Sequence, residues 1–203
     1  MTRRPYTKLR RAEAEAATRE RIVRATVDLH AEHGVTATSY GMIAEKAGVS
    51  PQTVYNHFPK LDELIEGCTS HVQQRAPVVD ATCFAGERTA AQRLRKLAMA
   101  VYAQLEFIAP WMRFGWGEAE RVPALRAVFG RNEAALRDLL AQAVMPDFRA
   151  DPAFLDAALV LLDYPAWKHL TERRSRVRAA ALAGDCLVAL LETLCQASPK
   201  DRS

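Results

Sequence analysis

The stretch AEKAGVSPQTVYNHF, residues 44–58, decides how the chain is folded. Gly48 is placed to take the left-handed backbone conformation that ends a helix, and Ser50 followed by Pro51 is a typical N-cap and first helical residue. Because the residue before a proline disfavours the α region, the second helix should end before Pro59. A helix, a short turn containing glycine and a second helix together predict a helix-turn-helix.

The two helices are each expected to bury one face. Thr38 or Ser39 can cap the first helix, and its inner face should consist of Ile43, Ala44 and Ala47. The second helix should have about seven residues, which is too few for a helix to be stable alone. Its neighbours must therefore hold it in place.

Val54 and Phe58 lie four residues apart and are the expected anchors of the second helix in the core. The other side chains of this helix then face outward. A helix of roughly 11 Å fits the major groove of B-DNA, which is about 12 Å wide, and can place side chains against base edges. The pattern predicts DNA contacts from Ser39, Ser50, Gln52, Thr53, Tyr55, Asn56, His57 and Lys60.

These side chains suit two kinds of contact. The Gln52 amide can pair with adenine, Thr53 can meet a thymine methyl group or a phosphate, and Asn56 can contact a base or the backbone. Tyr55 and His57 are better suited to phosphate oxygens, which position a protein on DNA without reading its sequence.

The excess positive charge is concentrated at the start of the chain. Residues 1–60 hold ten Lys and Arg against six Asp and Glu, whereas residues 61–203 hold eighteen of each. A basic module joined to a neutral remainder favours a polyanion as its partner. The basic segment 1–18 is expected to be an arm that adds salt-sensitive affinity by reaching the minor groove.

Composition excludes several classes of protein. With 203 residues, 49% of them hydrophobic and 26% charged, the chain can bury one or two small cores and is not a disordered protein. No apolar run approaches the roughly 18–20 residues that span a bilayer, and the N-terminus has no apolar signal segment, so a soluble cytoplasmic protein without a membrane partner is expected. No GxGxxG, GxSxG, HExxH or phosphate-loop motif is present, so neither an enzyme nor a cofactor is expected.

The whole chain is predicted to be all-α, with about nine helices. A further helix is expected from Pro152 through Trp167, with a kink at Pro165. Apolar residues recur at helical spacing in residues 12–33, 61–72, 94–108 and 176–196.

The stretch ATSYGMIAEKAGVSPQTVYNHFPKLDELIEG, residues 37–67, resembles the DNA-binding domain of the TetR/AcrR family of transcriptional regulators. Four elements match in order and spacing: AEHGV at the end of the preceding helix, the IAEKAGVS core and turn, the TVYNHF recognition helix, and the DELI opening of the next helix. The similarity covers residues 19–67, about a quarter of the chain. It implies a homodimer that reads a palindromic operator in double-stranded DNA, and a helical remainder that binds a small-molecule effector.

Two positions depart from the family pattern. Gly41 stands where the family often has Arg or a similar long polar side chain, and Leu61 stands where it often has Lys, with Lys60 one position earlier. Gly41 removes a base contact, so sequence reading should rest more heavily on the recognition helix. Lys60 can still reach a phosphate.

The resemblance implies three regions. A basic arm at residues 1–18 precedes the helix-turn-helix domain at residues 19–60, and residues 61–203 form the effector-binding and dimerisation domain. Within that domain, proline and two glycines are expected to break the helix at APWMRFGWGE, residues 109–118. A break among large apolar side chains can leave a ligand pocket, although ordinary core packing is the alternative. The candidate lining is Met99, Tyr102, Glu106, Trp111, Phe114, Trp116 and Trp167.

The last predicted helix, residues 176–196, has more apolar residues than a helix that exposes one face to water would have. Such a helix is expected to be buried against both its own domain and a partner subunit, and the central helix of a monomer is the alternative. The predicted dimer interface consists of Leu182, Leu187, Leu190, Leu191 and Leu194.

Other regulators remain open as alternatives. His30 with His33, and Cys68 with His71, are each spaced to offer two metal ligands from one helix face, but no completing ligands are evident. A thiol switch is a second alternative, although four scattered cysteines without CxxC spacing favour reduced core residues. The resemblance implies a ligand-responsive repressor, no bound metal is expected, and an activator could use the same DNA-binding domain.

Overall fold

The computed structural model describes residues 4–145 and 147–195, so residues 1–3 of the predicted arm and 196–203 of the predicted C-terminal domain lie outside the described residues. Over the described part the chain forms nine α-helices, one short 3₁₀ helix and no β-strand, which confirms the all-α prediction. None of these helices is both long and apolar enough to cross a membrane. The helices are α1 Arg4–His33, α2 Tyr40–Ala47, α3 Pro51–His57, α4 Leu61–Gln73, α5 Ala90–Glu118, α6 Pro123–Val144, α7 Pro152–Leu161, α8 Tyr164–Thr171 and α9 Arg176–Leu194, with the 3₁₀ helix at Ala81–Phe84.

The helices form two compact units. The first unit holds the chain up to Arg75 together with Pro110–Val128, and the second holds Ala76–Ala109 with the chain from Phe129 onward. Helix α4 and the end of α5 therefore belong with the helix-turn-helix in the first unit. The division of function between residues 19–60 and 61–203 stays a prediction.

The core of the first unit is built by α1, α2, α3 and α4. Ile22, Ile43, Val54, Phe58 and Leu64 are each at most 1% exposed, and they belong to one apolar cluster. Val54 and Phe58 are the two anchors expected from their spacing. Burying such side chains contributes roughly 1.5–3 kcal/mol each, which is how a helix of seven residues is kept in place.

Helix α1 begins at Arg4, well before the predicted start at residue 12. Residues 9–17 are helical and exposed throughout. An α-helix with its side chains is about 10–12 Å across, whereas the minor groove is about 6 Å wide. The helical part of this basic segment is thus wider than an undeformed minor groove, and the expectation that the segment reaches that groove stays a prediction.

Helix α5 runs unbroken from Ala90 to Glu118 with Pro110 inside it, so the predicted helix break at residues 109–118 is wrong. Proline has no N–H to bond the carbonyl four residues earlier, which here belongs to Glu106. Both residues are exposed, and water can therefore bond that carbonyl. The loss of one exposed hydrogen bond is too small to end the helix.

The apolar stretch 152–167 forms two helices, so the single kinked helix predicted there is wrong. The Asp151 side chain caps α7, as expected from its place before Pro152. Asp163 caps α8, and Pro165 lies in the first turn of that helix. Proline is tolerated there because the first N–H groups of a helix have no partner inside it. Pro165 therefore begins a helix where a kink was expected.

A buried arginine joins the ends of two helices in the second unit. Arg93 is 8% exposed and donates to the carbonyls of Ala143 and Met145 at 2.6 and 2.8 Å, just where α6 ends. It also pairs with Asp147 at 3.0 Å. The same Asp147 oxygen accepts a hydrogen bond from Ala90 N at the start of α5, at 2.6 Å. One ion pair thus satisfies backbone groups at a helix start and a helix end.

Candidate nucleic-acid interface

The turn between α2 and α3 has the caps that its sequence predicts. Ser39 Oγ accepts a hydrogen bond from Met42 N at 3.2 Å at the start of α2. Gly48 ends α2 in the left-handed conformation, with φ 65° and ψ 43°. Ser50 Oγ accepts from Thr53 N at 3.1 Å and so fixes the start of α3. These local bonds set the direction in which α3 leaves the turn.

Helix α3 presents one face to solvent. Its opposite face is anchored by Val54 and by the C-cap residue Phe58, both at 0% exposure. None of the eight predicted DNA-contacting residues is buried. Ser39, Ser50, Gln52, Tyr55, Asn56 and Lys60 are exposed, and Thr53 and His57 are half-buried.

Four side chains on this face are bonded in pairs. Gln52 Nε2 donates to Asn56 Oδ1 at 3.0 Å. The hydroxyls of Ser50 and Thr53 share a hydrogen bond at 2.9 Å. Because Ser50 also caps α3, its hydroxyl is already used within the helix. Ser50 therefore positions the exposed face of α3 more than it contributes a DNA contact of its own.

Tyr40 belongs to this surface although no motif or spacing in the sequence points to it. Its ring is stacked on that of Tyr55, with centroids 4.4 Å apart and planes 3° from parallel. The Tyr40 hydroxyl donates to Phe58 O at 3.0 Å, and burial together with the neighbouring Tyr55 raises the pKa of Tyr40. The phenol therefore stays protonated at neutral pH, and it holds the Tyr55 ring in one orientation.

The end of α5 fixes the connection between α1 and α2. The Glu118 carboxylate is 6% exposed and accepts hydrogen bonds from Val35 N at 2.8 Å and Thr36 N at 2.9 Å. The Thr36 hydroxyl donates to it as well, at 2.5 Å. Burial alone would raise the pKa of Glu118, but the hydrogen bonds from Thr36 and Val35 outweigh burial and lower the pKa. The group is therefore an anion at neutral pH.

Two further side chains of α5 are bonded to α1. Trp111 Nε1 donates to Val27 O at 2.8 Å, and the ring packs against the apolar core of the first unit. Arg113 Nη2 donates to Ala31 O at 2.8 Å. The indole N–H of Trp111 is thus used by the fold and is not free for a ligand.

The predicted pocket residues divide between the two units. Trp111, Phe114 and Trp116 belong to the first unit, and Met99, Tyr102, Glu106 and Trp167 belong to the second. The helix break that suggested one pocket does not exist. A shared pocket for these residues stays a prediction.

The polar groups of the second-unit candidates differ in whether they have partners. The Tyr102 hydroxyl donates to Leu161 O at 3.0 Å, and Glu106 pairs with Arg176 at 2.9 Å. The Trp167 ring is stacked on another ring of α8, and its Nε1 is buried with no hydrogen-bond partner. Of these candidates, Trp167 therefore has an unused buried donor.

An open apolar groove lies between α7 and α9 on the second unit. Val160, on its α7 side, is 68% exposed. A large aliphatic side chain that is this exposed, beside an apolar groove, is suited to contact with another protein surface. The groove is lined by Ala157, Val160, Leu161, Cys186, Ala189, Leu190 and Thr193.

The predicted interface leucines of α9 point in two directions. Leu187 and Leu191 are 0% and 1% exposed within their own unit, so the prediction that they contact a partner is wrong. They lie on the face of α9 that packs inward with its small residues. Leu182 and Leu194 are each 37% exposed, and Leu190 is half-buried.

In the described ranges no three His, Cys, Asp or Glu side chains are placed to hold a metal ion together. Burial lowers the pKa of His30 to about 4, against the opposing effect of Glu118. Burial also raises the pKa of the Cys68 thiol to about 12, which makes it an inert core residue.

Comparison with known proteins places the same segment in a family. Residues 22–68 match the family described as bacterial regulatory proteins, tetR family. No curated protein matches the chain.

Several solved structures share the fold over most of the chain. A protein assigned to the TetR-family transcriptional regulators, from Mesorhizobium loti, is 22% identical, with 88% of this chain and 97% of that chain covered and a TM-score of 0.66. GusR of Salmonella enterica is 26% identical, with 87% and 96% covered and a TM-score of 0.57. The multidrug binding protein EbrR, solved with imidazole, is 21% identical, with 91% and 92% covered and a TM-score of 0.61.

Proposed function

We propose that the chain is a DNA-binding transcriptional regulator of the TetR family, not an enzyme, and that it acts as a homodimeric repressor; residues 22–68 match that family. It binds a palindromic operator in the cytoplasm and leaves that operator when a small molecule binds. The observation that carries this proposal is the exposed face of α3, a helix of seven residues held by two fully buried anchors.

Base reading is assigned to the first two turns of α3. Gln52 and Asn56 are exposed amides that can pair with base edges, and the Thr53 methyl group can meet thymine. The Thr53 hydroxyl is already hydrogen-bonded to Ser50. Thr53 therefore offers the DNA its methyl group, which makes an apolar contact. Sequence reading therefore rests on two amides and one methyl group.

Phosphate contacts are assigned to the residues around the reading face. Tyr55 can donate its hydroxyl to a phosphate oxygen from a ring that is held flat by Tyr40. His57 and Lys60 follow at the end of α3 and just after it, and Ser39 lies at the start of α2. Contacts of this kind fix the register of the protein on the duplex.

A second copy of the chain is proposed to cover the groove between α7 and α9. The groove is apolar, and its residue Val160 is 68% exposed. Two recognition helices one helical turn of DNA apart would read two half-sites. The affinity of the dimer for the operator would then exceed the affinity of either DNA-binding domain for its half-site. The contact residues of α9 are then those on its outward face, with Leu190 at the centre.

The dimer is tested by placing a charge in the groove. Val160→Asp is expected to convert the protein to monomers and to weaken operator binding, because an unpaired carboxylate would be buried between the copies. Val177→Asp is the matched control, since Val177 is an exposed valine of α9 outside the groove. Sedimentation velocity of both variants measures the association state. Equal association of the two variants would exclude this groove as the interface.

The effector is proposed to bind in the second unit and to accept a hydrogen bond from Trp167. A buried donor without a partner costs roughly 1–3 kcal/mol, and a ligand acceptor would remove that cost. A ligand that prefers the released state about a hundredfold supplies roughly 2.7 kcal/mol of coupling. Trp167→Phe keeps an aromatic ring and removes the N–H. Any compound that releases the operator from the wild type should act more weakly on this variant.

The DNA-binding proposal is tested by selection from a randomised duplex library. The wild type is expected to enrich an inverted repeat, and a Gln52→Ala, Tyr55→Ala double variant should not enrich it. A single unrepeated motif would refute the palindromic operator. If the protein binds the library weakly, enriches no motif and loses affinity as the salt concentration rises, the sequence-specific function is refuted.

A further inference from the structure

Two side chains on the exposed face of α3 are bonded to each other before any DNA is present. Gln52 and Asn56 lie four residues apart and both are exposed. Gln52 Nε2 donates to Asn56 Oδ1 at 3.0 Å. An exposed i, i+4 pair of this kind stabilises a helix only slightly. Its larger consequence concerns which hydrogen bonds the two amides have left to offer.

The remaining donors and acceptors differ between the two amides. A side-chain amide has two N–H donors and one oxygen with two lone pairs. Gln52 has used one N–H, so it offers a donor beside an acceptor. Asn56 has used one lone pair of its oxygen, so it offers two donors together with the other lone pair.

These two patterns match two different purines. In the major groove adenine presents the N6 donor and the N7 acceptor, whereas guanine presents the two acceptors O6 and N7. The adenine pattern is the complement of Gln52, and the guanine pattern is the complement of the two Asn56 donors. The amide groups are joined at 3.0 Å, which is close to the rise of about 3.4 Å between stacked base pairs.

We propose that Gln52 and Asn56 form one reading unit that recognises an adenine and a guanine on neighbouring base pairs of each operator half-site. This inference rests on the proposed function, because it needs α3 to lie in the major groove. It goes further by stating which bases the helix prefers and by making the two residues dependent on each other.

Asn56 has a second role in this reading unit. The long Gln52 side chain loses rotational freedom when it is ordered on a base, which costs binding free energy. The bond from Asn56 orders Gln52 in advance. Removing Asn56 should therefore weaken the reading of adenine, a base that Asn56 itself does not contact.

Two substitutions separate the roles of Asn56. Asn56→Ala removes both the bond to Gln52 and the donors for guanine. Asn56→Asp keeps an oxygen that can accept from Gln52 but has no N–H donor. Circular dichroism and thermal unfolding establish that both variants fold, which is expected because the residue is exposed.

The measurement uses the full-length protein and the operator duplex from the selection experiment. Kd is determined at fixed salt for that duplex and for versions with 7-deazaadenine or 7-deazaguanine, each of which lacks the N7 acceptor. Ratios between duplexes are compared within each variant, so the general repulsion between Asp and phosphate cancels.

The wild type should bind each modified duplex roughly 3- to 10-fold more weakly, as expected for one bond of a bidentate pair. Asn56→Asp should keep the response to 7-deazaadenine and lose the response to 7-deazaguanine. Asn56→Ala should lose the guanine response and reduce the adenine response to less than about twofold.

A full response of Asn56→Ala to 7-deazaadenine would overturn the inference, because Gln52 would then read adenine without help. An enriched operator without neighbouring adenine and guanine would overturn it as well and leave the proposed function intact. A library that enriches no motif would refute the proposed function itself.

Discussion

Glu118→Ala is expected to lower the free energy of unfolding of the first unit by about 2–4 kcal/mol. The substitution removes the acceptor of Val35 N, which is a buried hydrogen bond at 2.8 Å. A buried N–H without an acceptor costs about 1–3 kcal/mol. Thr36 is exposed, so its N–H and hydroxyl can return to water, and the loss there is about 1 kcal/mol.

Glu118→Gln should fall between the wild type and the alanine variant, at about 1–2 kcal/mol. The amide oxygen can still accept from Val35 N or Thr36 N, but the amide NH₂ faces donors where a second oxygen stood. The lowered pKa of Glu118 adds a pH signature. The contribution of the carboxylate is present above its ordinary pKa of 4.5 and is lost as the pH falls through the lower folded-state value. The difference between the wild type and Glu118→Gln should therefore narrow in acid.

Urea unfolding followed by far-UV circular dichroism measures both losses, with the slope m as a check that the unfolding transition is unchanged. Glu120→Ala is the matched control, because Glu120 is an exposed carboxylate two residues away. A Glu118→Ala variant within about 0.5 kcal/mol of this control, the usual range of a surface substitution, would refute the assignment of a structural role to the Glu118 hydrogen bonds.

Three further predictions concern stability. Gly34→Ala should cost about 1–3 kcal/mol of stability, because φ is 84° and an added Cβ would lie 2.7 Å from a carboxylate oxygen. Gly130→Ala lies in open space and should stabilise α6 by about 0.5–1 kcal/mol. Thermal unfolding that finds Gly34→Ala the more stable variant would contradict both predictions. His30 has a folded-state pKa of about 4, below its ordinary 6.5, so the unfolded state binds the proton first and stability is lost as the pH falls from 6.5 towards 4. The wild type should lose about 2 kcal/mol between pH 6.5 and 5, and urea titrations should show a flatter profile for His30→Gln. Arg93→Met should cost about 3–5 kcal/mol by leaving a carboxylate and three carbonyls without their arginine donor. Arg95→Met breaks only an exposed pair worth less than about 1 kcal/mol, and similar urea midpoints for the two variants would argue against the buried ion pair.

The parts of the fold that the sequence predicts are those decided within a few residues. Ser39, Gly48 and Ser50 each act on backbone groups no more than four positions away, so their cap signals can be read directly. The anchors Val54 and Phe58 follow from helical spacing for the same reason. Local chemistry of this kind was sufficient to predict α2, the turn and α3.

Contacts between distant residues left no such signal. The stack of Tyr40 on Tyr55 depends on how α2 packs against α3, and the bond from Val35 to Glu118 joins residues 83 positions apart. No period or motif connects either pair. They become visible only when the helices are assembled.

The wrong predictions share one physical cause: local propensity does not determine which groups are exposed to water or how helices pack. Pro110 breaks a helix only when the unbonded carbonyl has no other partner, and here that carbonyl is exposed to water. The apolar surface of α9 predicts that Leu187 and Leu191 contact a partner. The structure covers them with their own unit, and the apolar sequence alone could not say which face turned inward.

The proposed function depends above all on the exposed face of α3 reading a DNA sequence. The most direct test is the Kd of the wild type for the selected operator and for a scrambled duplex of equal length, at a fixed ionic strength of about 0.15 M. The operator is expected to bind at least about 10³-fold more tightly, and the Gln52→Ala, Tyr55→Ala double variant should bind both duplexes with the same weak affinity. Equal affinity of the wild type for the two duplexes would refute sequence reading by α3, because its contacts would then be with the phosphate backbone alone.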